Sequence, residues 1–143
     1  SKRAKGTRFY LLFLQLLLLH SVGAAKEDAI VFIGHSGLPK TDLSTLQRVY
    51  TGRVISIARQ EVVPLNYPPG DPLREQFLEV VMRQSEEQYT GYWLVRKYVG
   101  KGAPPVEFAT TDALIKYVTS TPGAIGYLPA SKVPMGANVI FKP

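Results

Sequence analysis

The sequence predicts an α/β fold, a small mixed sheet flanked by helices. Three observations carry that reading. Four short runs of β-forming residues are bounded by Gly, Pro or polar residues: "AIVFIG" (Ala29–Gly34), "EVVPLN" (Glu61–Asn66), "AIGYL" (Ala124–Leu128) and "NVIFK" (Asn138–Lys142). Between them lie segments with helical spacing of apolar residues and capping residues at their starts. Strands separated by helices build layered α/β structures around one core.

Each element follows from its residues. "AIVFIG" is continuously apolar and reads as a buried strand, followed by a "HSGLPKTD" loop. In "STLQRVYTG", Ser44 stands three residues before Gln47, the pattern of a capping box. Leu46, Val49 and Tyr50 share one face there, and Gly52 is placed for a helix-ending glycine. The strand at 61–66 should be short, because Pro64 cannot donate to a ladder. After the "YPPG" turn, Asp71 suits an N-cap and Pro72 a first helical residue, with Leu73, Phe77, Val80 and Val81 as the core stripe. Ser85 and Gln88 form a second capping box. Glu86 and Glu87 in its first turn, with Arg96 and Lys97 near its end, complement the helix dipole. In "TTDALIKYVTSTPG", Thr110, Thr111 and Asp112 cap a further helix with Ala113, Leu114, Tyr117 and Val118 inward. The expected order is β-α-β-α-α-α-β-β.

The chain has 143 residues, room for one domain. Its N-terminus differs from the rest. Lys2, Arg3, Lys5 and Arg8 precede the apolar "FYLLFLQLLLL" (Phe9–Leu19), and the small-residue stretch "HSVGAA" follows. That is the pattern of a secretory signal. As a helix the apolar core would span only ~17 Å, against the ~30 Å of a bilayer core. Residues 1–25 are therefore expected to be a signal peptide or a retained N-terminal membrane anchor, with membrane contact through residues 9–25 if retained. Residues 26–143 are the functional domain, exported to the periplasm of a bacterium, soluble or anchored to the inner membrane.

The charge balance supports that division. Of the 17 Lys and Arg, four lie in the leader, which has no acid, so the remainder carries 13 bases against 11 acids. A nearly balanced domain lacks the basic patch that nucleic acid requires. There is no cysteine, and the only histidines are His20 and His35. Thiol chemistry, disulfides and His-rich or Cys-rich metal sites are excluded. Nucleophile–base pairs, paired carboxylates and metal-ligand spacings are not found either, so no enzyme and no cofactor is expected.

Four segments in register resemble the small substrate-binding-like proteins of phosphate ABC transporters, a type 2 periplasmic-binding-protein family. They are "LSTLQRVYTGRV" (Leu43–Val54), "VPLNYPPGDPLREQFLEVV" (Val63–Val81), "YWLVRKYVGKGAPP" (Tyr92–Pro105) and "TPGAIGYL" (Thr121–Leu128). The resemblance covers nearly all of residues 29–143. It implies a single lobe of a fold that, in full-length members, has two lobes closing on phosphate. The segments of the early first lobe have no counterpart here.

The stretch "NYPPGDP" (Asn66–Pro72) departs from the family pattern. Phosphate-binding relatives resemble an Arg followed by a Ser-Gly-Thr-like turn at this place. Here the Arg is absent, Pro72 removes an N–H donor and Asp71 brings its own negative charge. Helix capping by Asp71 is the favoured reading. The residues left as ligand candidates are Ser36, Gly37, Gly70, Asp71 and Arg74, with Arg74 either reaching a bound anion or pairing with Asp71 on the helix surface. His35 is read as a loop residue. Tyr89, Tyr92, Trp93 and Tyr98 make one helix rich in aromatics. Leu94 and Tyr98 are expected to pack on the sheet, the Trp93 ring to be mostly buried, and Tyr89 and Lys97 to border solvent or a partner. Tyr89, Trp93 and Lys97 are thus the candidate partner surface.

Two functions follow from these readings. One is a non-enzymatic interaction or accessory subunit, with a protein partner in a cell-envelope complex. The other is a periplasmic binding protein for phosphate or a related oxyanion, for which the altered loop predicts weak binding.

Overall fold

The computed structural model describes residues 28–143. The leader expected at residues 1–25 lies outside the described residues. Among the described residues no helix is long and apolar enough to cross a membrane.

The elements are β1 (Ile30–Gly34), α1 (Leu43–Val49), a small hairpin of β2 (Ser56–Ile57) and β3 (Gln60–Glu61), β4 (Val63–Asn66), α2 (Pro72–Phe77), α3 (Glu86–Tyr98), β5 (Val106–Glu107), α4 (Thr111–Ser120), β6 (Ala124–Pro129) and β7 (Asn138–Phe141). The four strands and four helices expected from sequence are all present. The hairpin and β5 add three two-residue strands too short for any periodicity to mark.

Five strands form one mixed sheet in the order β5-β4-β6-β1-β7. β4 runs parallel to β5 and β6, whereas β1 runs antiparallel to β6 and β7. β1 is buried along its whole length, as its unbroken apolar run requires. Phe32 and Tyr127 are register partners on one face. There they meet Tyr50 at the end of α1 and Phe77 of α2, with Phe77 stacked on Tyr127 at 4.8 Å between centroids. Gly126, next along β6, faces the other way and receives Leu114 of α4 so closely that an added Cβ would lie 2.7 Å from it. The sheet is therefore covered by α1 and α2 on one side and by α4 on the other.

Three local readings change. The N-cap of α1 is Asp42, whose carboxylate accepts from the Thr45 N–H at 2.8 Å; Ser44 already lies inside the helix. The helix also stops at Val49, three residues before the expected Gly52. Leu78–Met82 forms a turn of π-helix that ends on Arg83 with a left-handed φ of 54°. The wider turn rotates the core stripe, so Phe77, Leu78, Val81 and Met82 are buried while Val80 is exposed. In α4, Leu114 and Val118 are buried and Ala113 is exposed.

Candidate functional site

The candidate ligand residues do not come together. Gly70, Asp71 and Arg74 follow β4, at the carboxyl ends of β4, β5 and β6. Ser36 and Gly37 follow β1, and since β1 is antiparallel to β6 they stand at the opposite end of the sheet. Both are exposed. His35 beside them is structural, with its Nδ1–H donated to the Val118 carbonyl at 2.8 Å. A carbonyl only accepts, which fixes the tautomer.

At the β4 end, Asp71 is the N-cap of α2. Its carboxylate accepts from the Leu73 N–H at 2.8 Å, and Pro72 is the first helical residue. The helix has filled its own anion position, as the loop sequence predicted. Gly70 is exposed at the turn.

Arg74 is where the sequence reading fails. It is 5% exposed and makes no pair with Asp71. Its Nε and one Nη hold the two Glu86 oxygens, both at 2.7 Å, in a fork-to-fork pair. The other Nη donates to the Tyr67 carbonyl and to Glu107, each at 3.0 Å. The guanidinium also lies over the Tyr89 ring, 5.4 Å from its centroid. Burial opposes the Arg74 charge, but the Glu86 hydrogen bonds and the charges of Glu86 and Glu107 outweigh it and hold the guanidinium above its ordinary range. Burial likewise raises Glu86, and the hydrogen bonds from Arg74 and Thr90 more than offset this to hold its carboxyl below the usual value. One cation thus faces two carboxylates. Nothing in the candidate region before β5 marked Glu86 or Glu107 as its partners; they come from α3 and β5, 12 and 33 residues away.

Beneath this pair lies a network of buried tyrosines that the sequence did not reveal. The Tyr67 hydroxyl donates to the Tyr127 carbonyl at 2.9 Å, Tyr50 to Leu65 at 2.7 Å and Tyr89 to Tyr50 at 2.8 Å. Tyr127 donates to the Asn66 Oδ1, which also accepts from the Tyr67 N–H at 2.9 Å. Burial pushes the Tyr67 and Tyr89 hydroxyls up to about 12 and those of Tyr50 and Tyr127 well above their ordinary value. Every one of these phenols stays neutral and serves as a hydrogen-bond donor. Asn66 stands at the end of β4; its amide nitrogen is buried and unpartnered.

Over Asn66 and Arg74 opens a groove of about 250 Å³, walled by Tyr89, Trp93, Leu94 and Pro104–Pro105. Its lining is apolar, and its free cation is Lys97 at the rim, exposed on α3. The partner surface expected from sequence is inverted. Tyr89, expected to border solvent, is core, whereas the Trp93 ring is buried as expected, with its Nε1–H donated to the Tyr50 carbonyl at 3.1 Å. Leu94 and Tyr98, expected to pack on the sheet, point outward. The apolar weight of a stripe misled: the Tyr89 and Trp93 polar atoms found buried backbone carbonyls, which let those larger rings turn inward. Lys97 alone of the three remains on the surface. Among the described residues no group of acidic and histidine side chains could hold a metal ion.

Comparison with known proteins bears on this arrangement. No family model and no curated protein matches the sequence. Solved structures do match the fold. One is described as a phosphate ABC transporter substrate-binding protein with bound phosphate from Clostridium perfringens, with a TM-score of 0.63 and 19% identity over 79% of this chain and 44% of that one. Another is an ABC-type phosphate transport receptor from Vibrio cholerae, with a TM-score of 0.61 and 11% identity over 81% of this chain and 50% of that one. The chain spans half or less of the length of these structures. Its five-stranded mixed sheet with flanking helices has the fold of a single periplasmic-binding-protein-type lobe.

Proposed function

We propose that the chain is a non-enzymatic, exported lobe of the solute-binding type that acts as an interaction or accessory subunit in a bacterial cell envelope. The observation that carries this is the engagement of Arg74. Four of its five N–H donors are held by Glu86, Glu107 and the Tyr67 carbonyl, and Asp71 occupies the mouth of α2. Phosphate brought to this face meets carboxylates first. A like charge ~4 Å away opposes it by about 4 kcal/mol at an effective dielectric of about 20. The β4-end surface is then a wall for a protein neighbour, in the periplasm, with the leader cleaved or kept as an anchor.

A second reading, a binding protein for phosphate or a related oxyanion, is favoured by the fold neighbours, one of which holds phosphate. Isothermal calorimetry with inorganic phosphate at neutral pH separates the two. Weak or undetectable binding is expected; micromolar or tighter affinity establishes the second reading instead.

A further inference from the structure

α3 carries apolar residues on both of its faces. Tyr89 and Trp93 enter the core, while on the other side Leu94 is 68% exposed, Val95 63%, Tyr98 92% and Val99 56%. Glu87, Gly91, Leu94 and Tyr98 recur at alternating steps of four and three residues. That is the spacing of a helix-pairing seam; Leu94 stands about 100° around the helix from Trp93, and Glu87, Gly91 and Tyr98 lie farther from the buried face. At the middle of the seam a side chain added to Gly91 would meet nothing within 4 Å, so a neighbour can approach the backbone. The ends of the helix carry opposite charge, with Glu86 and Glu87 in the first turn and Arg96 and Lys97 in the last. Glu86 is taken by Arg74 and the Arg96 guanidinium donates to the Gly52 carbonyl. Glu87, on the seam, and Lys97, which flanks it at the rim of the groove, are the ones left exposed. An anionic lipid surface would be drawn to one end of such a helix and repelled by the other. A second α3 laid antiparallel satisfies both ends.

We propose that the outward face of α3 binds a second copy of this chain, with the two helices antiparallel about a two-fold axis between residues 91 and 94. Leu94 of each copy then packs against Gly91 of the other, and Tyr98 lies at the level of Glu87. Lys97 and Lys101 of one copy approach Glu87 of the other. Such a contact is isologous, each surface complementing itself. A helix of 13 residues is ~20 Å long. One face of it falls short of the ~1,200 Å² that stable interfaces bury in total. The dimer is therefore a concentration-dependent one. It stands whether or not the β4 end of the sheet takes an anion.

Sedimentation velocity on the full chain, from micromolar to millimolar concentration, reads the association directly. A monomer–dimer equilibrium is expected. Leu94→Glu should weaken it at least about tenfold, since it sets charges together at the centre of the contact. Leu94 is exposed, so its urea midpoint and circular dichroism should match the wild type. Glu87→Lys and Lys97→Glu should each weaken the dimer at low salt, and the two changes together should restore it. The chain has no cysteine, so a mixture of Gly91→Cys and Leu94→Cys chains should form a disulfide-linked dimer under oxidation, while Lys116→Cys, exposed on α4, should not. A chain that stays monomeric at millimolar concentration overturns the proposal. So does a dimer indifferent to Leu94→Glu, or a monomer that cosediments with anionic vesicles through this face.

Discussion

Replacing Arg74 by Met keeps the length of the side chain and removes the charge and all of its hydrogen bonds. In the folded protein that leaves the Tyr67 carbonyl without its Arg74 donor and leaves Glu86 and Glu107 facing each other without a cation. Breaking a buried ion pair on one side costs about 3–5 kcal/mol. The Glu86 and Glu107 side chains are 31% and 45% exposed, so water can resolvate part of each, and the expected loss falls to about 2–3 kcal/mol. In a domain of this size that corresponds to a fall in Tm of about 10 °C. Urea unfolding followed by Trp93 fluorescence measures it, since Trp93 is the only tryptophan and is buried. The pH dependence adds an independent signature. Glu86 is held below its ordinary 4.5 in the folded state, so its pairing stabilises the fold fully above that value. The contribution is lost as pH falls through the lower folded value. The gap between wild type and Arg74→Met should therefore be widest at neutral pH and shrink below about pH 4.5. A variant within ~0.5 kcal/mol of wild type at neutral pH, or a gap unchanged in acid, would show that Arg74 is not the structural brace described above.

Further outcomes follow from the same contacts. Tyr89→Ala should destabilise by about 3–5 kcal/mol, because the ring is buried against Phe77 and Arg74; a folded variant of normal urea midpoint would contradict its place in the core. Asp71→Ser should preserve stability to within about 1 kcal/mol, as Ser caps a helix nearly as well. If calorimetry then finds stronger phosphate binding than in the wild type, the carboxylate also repels anions. Gly123→Ala should lose more than ~1 kcal/mol on thermal unfolding, since Gly123 has a φ of 79° and an added Cβ would overlap the Glu61 carbonyl.

The fold was legible because its signals are local. Asp71 before Pro72, Ser85 before Gln88 and the continuous "IVFI" run each name their own structure within a few residues. Ser85 and Gln88 do form the reciprocal pair expected of them, at 3.2 and 2.9 Å. The site was far less legible, for a physical reason. Arg74 offers nearby Asp71 as the obvious partner, yet its real partners arrive from α3 and β5 only once the chain has folded. Ser36 and Gly37 sit just past a strand, which looks like a binding position until the direction of β1 is known. The orientation of α3 failed on chemistry instead of distance. Hydropathy ranks Leu94 above Tyr89, but it does not count the buried carbonyl of Tyr50 that accepts from both Tyr89 and Trp93.

The placement of β1 between β6 and β7 also sets the order in which the molecule can assemble. Every ladder partner of this strand comes from the last part of the chain. Hydrogen bonds near both of its ends, Asp28 with Ser131 and Asn138 with the His35 carbonyl, close loops of 103 residues. Contacts so distant in sequence make folding slow, because loop-closure entropy is lost before they reward it. Until residues beyond 123 emerge, the apolar "IVFI" segment has no edge to join. A chain still being synthesised or threaded through a pore therefore lacks the strands that complete its sheet, and the late appearance of β6 and β7 acts as the timer for folding.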